Sequence, residues 1–123
     1  MKTASAKAKG RRLQQFVAAT LSRIFDWEEG DAVSRPMGSS GVDIMMSPRA
    51  RRDFPFSIES KNWKKFPGLA ALEQARNNTI LGTIPCLVWK PFRASEEDTV
   101  IVMKLTDLAE AWRENAKTED ITV

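Results

Sequence analysis

Apolar positions recur along this chain first with the period of a helix and then with that of a strand. Leu13, Phe16, Val17, Leu21, Ile24 and Phe25 fall at i, i+3 and i+4 spacings, which predicts an amphipathic helix over 10–25. A polar loop with Gly30 follows, then a short strand over 32–35 and a turn-rich stretch over 36–41. Val42, Ile44 and Met46 then alternate with Asp43 and Met45, and Phe56 and Ile58 alternate with Ser57, Glu59 and Lys61. These are read as strands 42–46 and 55–61, joined as an antiparallel hairpin through a basic loop over 47–53. Pro67-Gly68 interrupts the chain, and 69–79 reads as a second helix. Segments 84–90 and 99–105 are rich in β-branched residues and read as strands; Thr106 is placed as the cap of a last helix. The order α-β-β-β-α-β-β-α predicts an α/β fold with a mixed sheet flanked by helices.

Composition narrows the picture mainly by what is missing. The 123 residues suit one domain, taken as 10–123, preceded by a flexible basic arm over 1–9 that shows no apolar periodicity. No apolar run is long enough to span a bilayer, the N-terminus has no signal-like apolar core, and the single Cys86 suits a reducing compartment. A cytoplasmic protein is the expectation. Histidine and tyrosine are absent altogether. That excludes Ser-His-Asp and Cys-His catalysis, Cys/His zinc centres, histidine-dependent nucleases and tyrosine recombinases. Chemistry must run on carboxylates, lysine, hydroxyls and a hard metal ion, with no organic cofactor expected. Charge is also uneven. Residues 1–65 carry 13 Lys/Arg against 7 Asp/Glu, residues 66–123 carry 6 against 9, and a basic half suggests a polyanionic partner.

The hairpin concentrates the candidate chemistry. Turning near Arg51, it pairs 43 with 59, 45 with 57 and 47 with 55, which places Asp43, Glu59 and Lys61 on one face and the apolar set on the other. A one-residue slip would bury a charge, so the pattern supports its own register. Two carboxylates directly opposite each other repel unless a cation lies between them. Oxygen ligands of this kind suit Mg²⁺ or Mn²⁺, with the Ser60 carbonyl as a third ligand. Lys61, two residues beyond Glu59 on the same face, is placed to neutralise charge growing in a transition state.

Asp43 followed by Glu59-Ser60-Lys61, the one [D/E]-x-K of the chain, resembles the D…(D/E)-x-K signature of the PD-(D/E)XK nuclease superfamily. The likeness extends over most of the chain in element order, and Lys9-Gly10 at the start of the first helix is similar to small phage and archaeal Holliday-junction resolvases. The resemblance implies a restriction-endonuclease-like αβββαβ core and a phage-associated, metal-dependent endodeoxyribonuclease acting on branched or recombining DNA, commonly as a homodimer, in the host cytoplasm. Metal ligation would fall on Asp43 and Glu59, and the catalytic lysine on Lys61. The chain departs from the pattern at Val42, where the superfamily has proline, and on the first helix, where resolvase-like members carry glutamate and this chain has Gln14 and Gln15. Gln14 lies about 50° from the centre of the apolar stripe and is the better candidate; Glu28 or Glu29 are the alternatives.

Arg49, Arg51 and Arg52 in the loop between the motif strands, with Lys64 and Lys65 after the second, are the candidate contacts to DNA phosphates. Ser39 and Ser40 are phosphate contacts or turn residues. Trp63 is a base-stacking platform or core, Trp89 and Trp112 are assigned to the core, and Gln74 is a polar helper on the second helix. Cys86 reads as a small buried hydrophobe. Two rival readings remain: a non-catalytic, structure-specific nucleic-acid-binding protein on a degenerate nuclease fold, and an assembly factor without salt-sensitive DNA affinity.

Overall fold

The computed structural model describes residues 2–36 and 41–122, with side chains described over 6–36 and 41–114. Ser39 and Ser40 lie outside the described residues. Helix α1 (Lys2–Phe25) is followed by strands β1 (Ala32–Ser34) and β2 (Ile44–Met46), the short helix α2 (Pro48–Asp53) and strand β3 (Phe56–Lys61). Helix α3 (Leu69–Asn77), strand β4 (Ile84–Trp89), a 3-10 turn (Glu96–Asp98), strand β5 (Val100–Val102) and helix α4 (Leu105–Thr122) complete the chain.

The sheet is mixed. β3 and β4 run parallel, with Glu59 beside Leu87 and Lys61 beside Trp89, and β5 pairs antiparallel with β4. The parallel pair needs a crossover, which α3 supplies. β1 and β2 form a separate antiparallel pair, Ser34 opposite Ile44. One backbone hydrogen bond, Asp43 N–H to the Ile58 carbonyl at 3.0 Å, joins this pair to β3.

Alternation along the strands sets the two faces. Ile58, Cys86 and Val88 point to one side and meet Leu13, Val17 and Ala18 of α1 together with Ile44, Met46 and Ala50. Leu87 points to the other and meets Ala71 and Leu72 of α3. Helices therefore cover both faces of the sheet, as expected, and burial of these two clusters is what holds the layers.

Several expectations need correction. The 1–9 segment expected as an arm is helical from Lys2, so Lys9-Gly10 stands inside α1 and does not open it. Thr106 lies in the first turn of α4, which begins at Leu105. The predicted hairpin does not form as such: β2 takes β1 as its ladder partner and β3 takes β4. The basic loop is a helix, because Ser47 is its N-cap, accepting from Ala50 N–H, and Pro48 follows with its φ already helical. Trp112 is 76% exposed, outside the core. It borders an apolar cleft of ≈ 740 Å³ shared with Phe54, Phe56, Ile101 and Leu105. Cys86 is buried as expected, and burial pushes its thiol up to about 12. Among the described residues no helix is long and apolar enough to cross a membrane.

Candidate functional site

The loss of the ladder between β2 and β3 does not scatter the signature residues. Asp43 is clamped through its backbone on both sides: Arg35 N–H donates to its carbonyl at 2.7 Å, and its own N–H reaches Ile58. Gly41, two residues earlier, turns the chain into this position with φ of +113°, and a Cβ there would meet the Arg35 guanidinium at 2.9 Å. With its backbone fixed, Asp43 aims its carboxylate at the end of β3, where Oδ2 accepts from Ser60 N–H at 2.7 Å and from the Ser60 hydroxyl at 3.2 Å.

Glu59 and Lys61 share the alternate face of β3, and Lys61 Nζ stands 3.4 Å from Glu59 Oε1. The second carboxylate oxygen, Glu59 Oε2, is buried with no hydrogen-bond partner among the described residues. Burial raises the Glu59 pKa above its ordinary value, and the charge of Asp43 raises it further; Lys61 and the nearby Asn78 amide oppose this without cancelling it. The pair is thus short of positive charge. Trp63, 43% exposed, holds Lys61 from the other side, its ring centroid 4.8 Å from Nζ. The indole is occupied as a support for the ammonium, and its own carbonyl accepts from Trp89 Nε1.

Gln14 is buried to 6% exposure on α1, and its Oε1 has no partner among the described residues. The helix places it on the face of β3 that carries Ile58; it makes no hydrogen bond to Asp43, Glu59 or Lys61 among the described residues. Gln15 and Gln74 are exposed. Glu28 and Glu29 sit elsewhere, in the loop that Asp31 ties down by accepting from Glu28 N–H, and so do not complete the site.

The predicted DNA contacts divide. Lys64 and Lys65 are exposed just beyond Lys61. Arg49, Arg51 and Arg52 are on α2, which connects the end of β2 to the start of β3 and so lies about one strand length from Asp43 and Glu59. Two of them are engaged there. Arg49 contacts Asp31 at 3.7 Å and the Asp26 carbonyl at 3.2 Å, and Arg51 donates to the Met46 carbonyl at 2.7 Å. Arg52 is exposed.

Hard oxygen donors, one of them buried and unpartnered, with a carboxylate pair lacking charge compensation, fit a divalent cation of the Mg²⁺ or Mn²⁺ type. The set would be Asp43, Glu59 and the Ser60 carbonyl, with waters filling the rest. No group of three or more acidic, His or Cys side chains suited to a metal occurs among the described residues, so two carboxylates are the side-chain complement.

Sequence reasoning passed over two contributors. Asn78 ends α3 beside Glu59, and a cleft next to the site gathers cations from distant parts of the chain. Neither carries a local motif. Compared with protein-family models, curated proteins and solved structures, the chain matches none.

Proposed function

We propose that this protein is a metal-dependent endodeoxyribonuclease built on a restriction-endonuclease-like core of the PD-(D/E)XK type. The observation that carries the reading is the meeting of Asp43 with Glu59-Ser60-Lys61 at the carboxyl end of β3, with a buried Glu59 oxygen left unpartnered. The parallel β3-α3-β4 unit supports it, since ligand sites of open α/β sheets gather at the carboxyl ends of parallel strands.

When bound, the cation supplies a water of lowered pKa and polarises a phosphoryl oxygen. The chain's own residues do the rest. Ser60 holds the Asp43 carboxylate in one orientation through two donors to one oxygen, leaving the other free to ligate. Glu59 presents an anion whose ionised form a cation would stabilise. Lys61, steadied between Glu59 and the Trp63 ring, brings an ammonium to negative charge growing on the phosphoryl oxygens as water attacks. A branched or recombining DNA substrate and a homodimer follow from the resemblance to junction-resolving enzymes alone.

The test is cleavage of labelled duplex, single-stranded, flapped and four-way DNA with Mg²⁺, Mn²⁺ or EDTA, comparing wild type with Lys61→Ala and measuring binding in parallel. Metal-dependent cutting by wild type that disappears in the variant, with binding retained, is the expected result. Tight binding without cutting under any metal would overturn it in favour of a non-catalytic, structure-specific DNA-binding protein. The two-carboxylate side-chain set is the observation that favours that second reading.

A further inference from the structure

A second feature of the same end of the sheet lies outside the Asp43, Glu59, Ser60 and Lys61 set. The first half of α1 and the segment after β4 face each other across a cleft of ≈ 260 Å³ whose polar lining is Lys9, Arg12, Asn62, Lys90, Arg93 and Glu96. Four cations against one carboxylate is a strong local excess. Among the described residues none of the four cations makes an ion pair. Their positions are nevertheless set. Lys90 Nζ donates to the Ala94 carbonyl at 2.9 Å, and Lys9 Nζ stands 4.5 Å from the Phe92 ring centroid with Arg93 over the same ring. Arg93 adopts φ of +68°, an uncommon conformation for a residue with a side chain, and so faces the cleft at some backbone cost.

Asn62 lies between this cleft and the candidate site. Its Oδ1 is buried without a partner among the described residues, so that atom calls for a donor, which the cations of the cleft can supply. The other end of the amide, Nδ2–H, is the group able to donate to a phosphate oxygen. Like-charged side chains gathered in one cleft repel unless an anion lies among them. Asn62 directly follows Lys61, and Lys90 N–H donates to the Lys61 carbonyl at 3.0 Å, so cleft and candidate catalytic lysine share one backbone junction.

We propose that this cleft is a phosphodiester subsite, which holds a backbone phosphate of the DNA strand next to the phosphate that lies at Asp43, Glu59 and Lys61. The assignment of the neighbouring phosphate rests on the nuclease reading; the anion site itself does not. Arg12 and Arg93 supply planar donor forks suited to two phosphate oxygens, Lys9 and Lys90 supply point charge, and Glu96 marks the rim where the anion's reach ends.

The experiment is the salt dependence of binding of a short fluorescein-labelled DNA duplex, read by anisotropy in EDTA, for wild type, Arg12→Gln/Arg93→Gln and Lys9→Gln. A second double variant, Arg23→Gln/Arg113→Gln, removes the same charge from outside the cleft. The cleft double variant is expected to bind roughly ten-fold more weakly near physiological salt, with the slope of log K against log salt reduced by about 1 to 2, since each phosphate contact contributes about 0.9. Lys9→Gln, which removes one charge from the cleft, is expected to reduce the slope by a smaller step, and the distant double variant to leave it near wild type. Equal slopes for the cleft variants and wild type, or an equal fall in the distant variant, would overturn the subsite. If wild type cuts DNA while the cleft variants keep its slope, the subsite fails and the nuclease stands. If the slope falls as expected and wild type cuts nothing, the anion site stands and the nuclease reading fails.

Discussion

The two ends of the central strands treat charge in opposite ways. At the α2 end, nearly every polar group has been given a partner. Ser47 caps α2 and donates to Asp31 Oδ1 at 2.7 Å, Arg49 and Arg51 reach carbonyls, and Trp27 Nε1 donates to Asp53 at 2.9 Å. At the carboxyl end, Glu59 Oε2, Gln14 Oε1 and Asn62 Oδ1 are buried without partners among the described residues, and Lys9, Arg12 and Arg93 have no counter-ion among them. Arg49 and Arg51 of α2 are held by partners within the fold, whereas the carboxyl end keeps unbalanced charge open to something from outside.

The contrast is broken most directly by Lys61→Ala. Removing a preorganised charge at the reacting phosphate is expected to lower cleavage about 10²–10³-fold, equivalent to about 3–4 kcal/mol of barrier, while the melting temperature changes little. A variant that cut DNA at the wild-type rate would show that the carboxyl end is only a solvated ion cluster. At the other end, Ser47→Ala removes an N-cap and the donor to Asp31 together. Urea denaturation should show a loss of about 1–3 kcal/mol with cleavage unaffected once the protein is folded.

Glu59→Gln sharpens the difference through its sign. The Glu59 pKa is raised in the fold, first by burial and then by Asp43, so the folded protein binds that proton more tightly than the unfolded chain. Stability from this group is fully present below the ordinary value of 4.5 and is lost as pH rises through the folded pKa. In EDTA, thermal melts at neutral pH should therefore find Glu59→Gln more stable than wild type, with the advantage disappearing as pH falls. Added Mg²⁺ should stabilise wild type and not the variant. Asp31 has the reverse sign: the Ser47 hydroxyl, then Glu28 N–H, lowers its pKa, so its contribution is present above the ordinary value of 3.8 and disappears as pH falls through the folded one. The smallest effect is expected for Arg52→Gln, exposed on α2: stability within about 0.5 kcal/mol of wild type and cleavage within two-fold. A large loss of DNA binding there would make α2 a nucleic-acid contact.

Local chemistry was what the sequence made readable. The stripe from Leu13 to Phe25, the alternation that carries Glu59 and Lys61 on one face of a strand, and the burial of Cys86 all depend on neighbours close in the chain. Period-two alternation cannot say which strand lies alongside, so Asp43 and Glu59 were placed in a direct ladder that β1 and β4 in fact occupy. Ser47-Pro48 did carry a helix-start signal, but the run of arginines behind it resembles a loop when read for charge alone. Trp112 reads as core by residue type, yet it stands 76% exposed at the border of the apolar cleft. Lys9, Arg12, Asn62, Lys90 and Arg93 span more than eighty positions of the sequence. Only the packing of α1 across the end of β3 and β4 brings them into one cleft.

Cys86 gives the molecule a built-in clock. It is the only thiol in the chain, stands at 1% exposure on the central strand, and keeps its proton to about pH 12. Cys86 is covered by α1 and also borders the apolar cleft beside Trp112, so a thiol reagent reaches the sulfur only when the packing on one of these sides opens, and the rate of labelling reports those openings. In excess reagent with fast reclosing, that rate divided by the rate for the unfolded chain is the equilibrium constant for opening. The same tube, with Mg²⁺ or DNA added, would report ligand binding as a slower tick, with no residue changed.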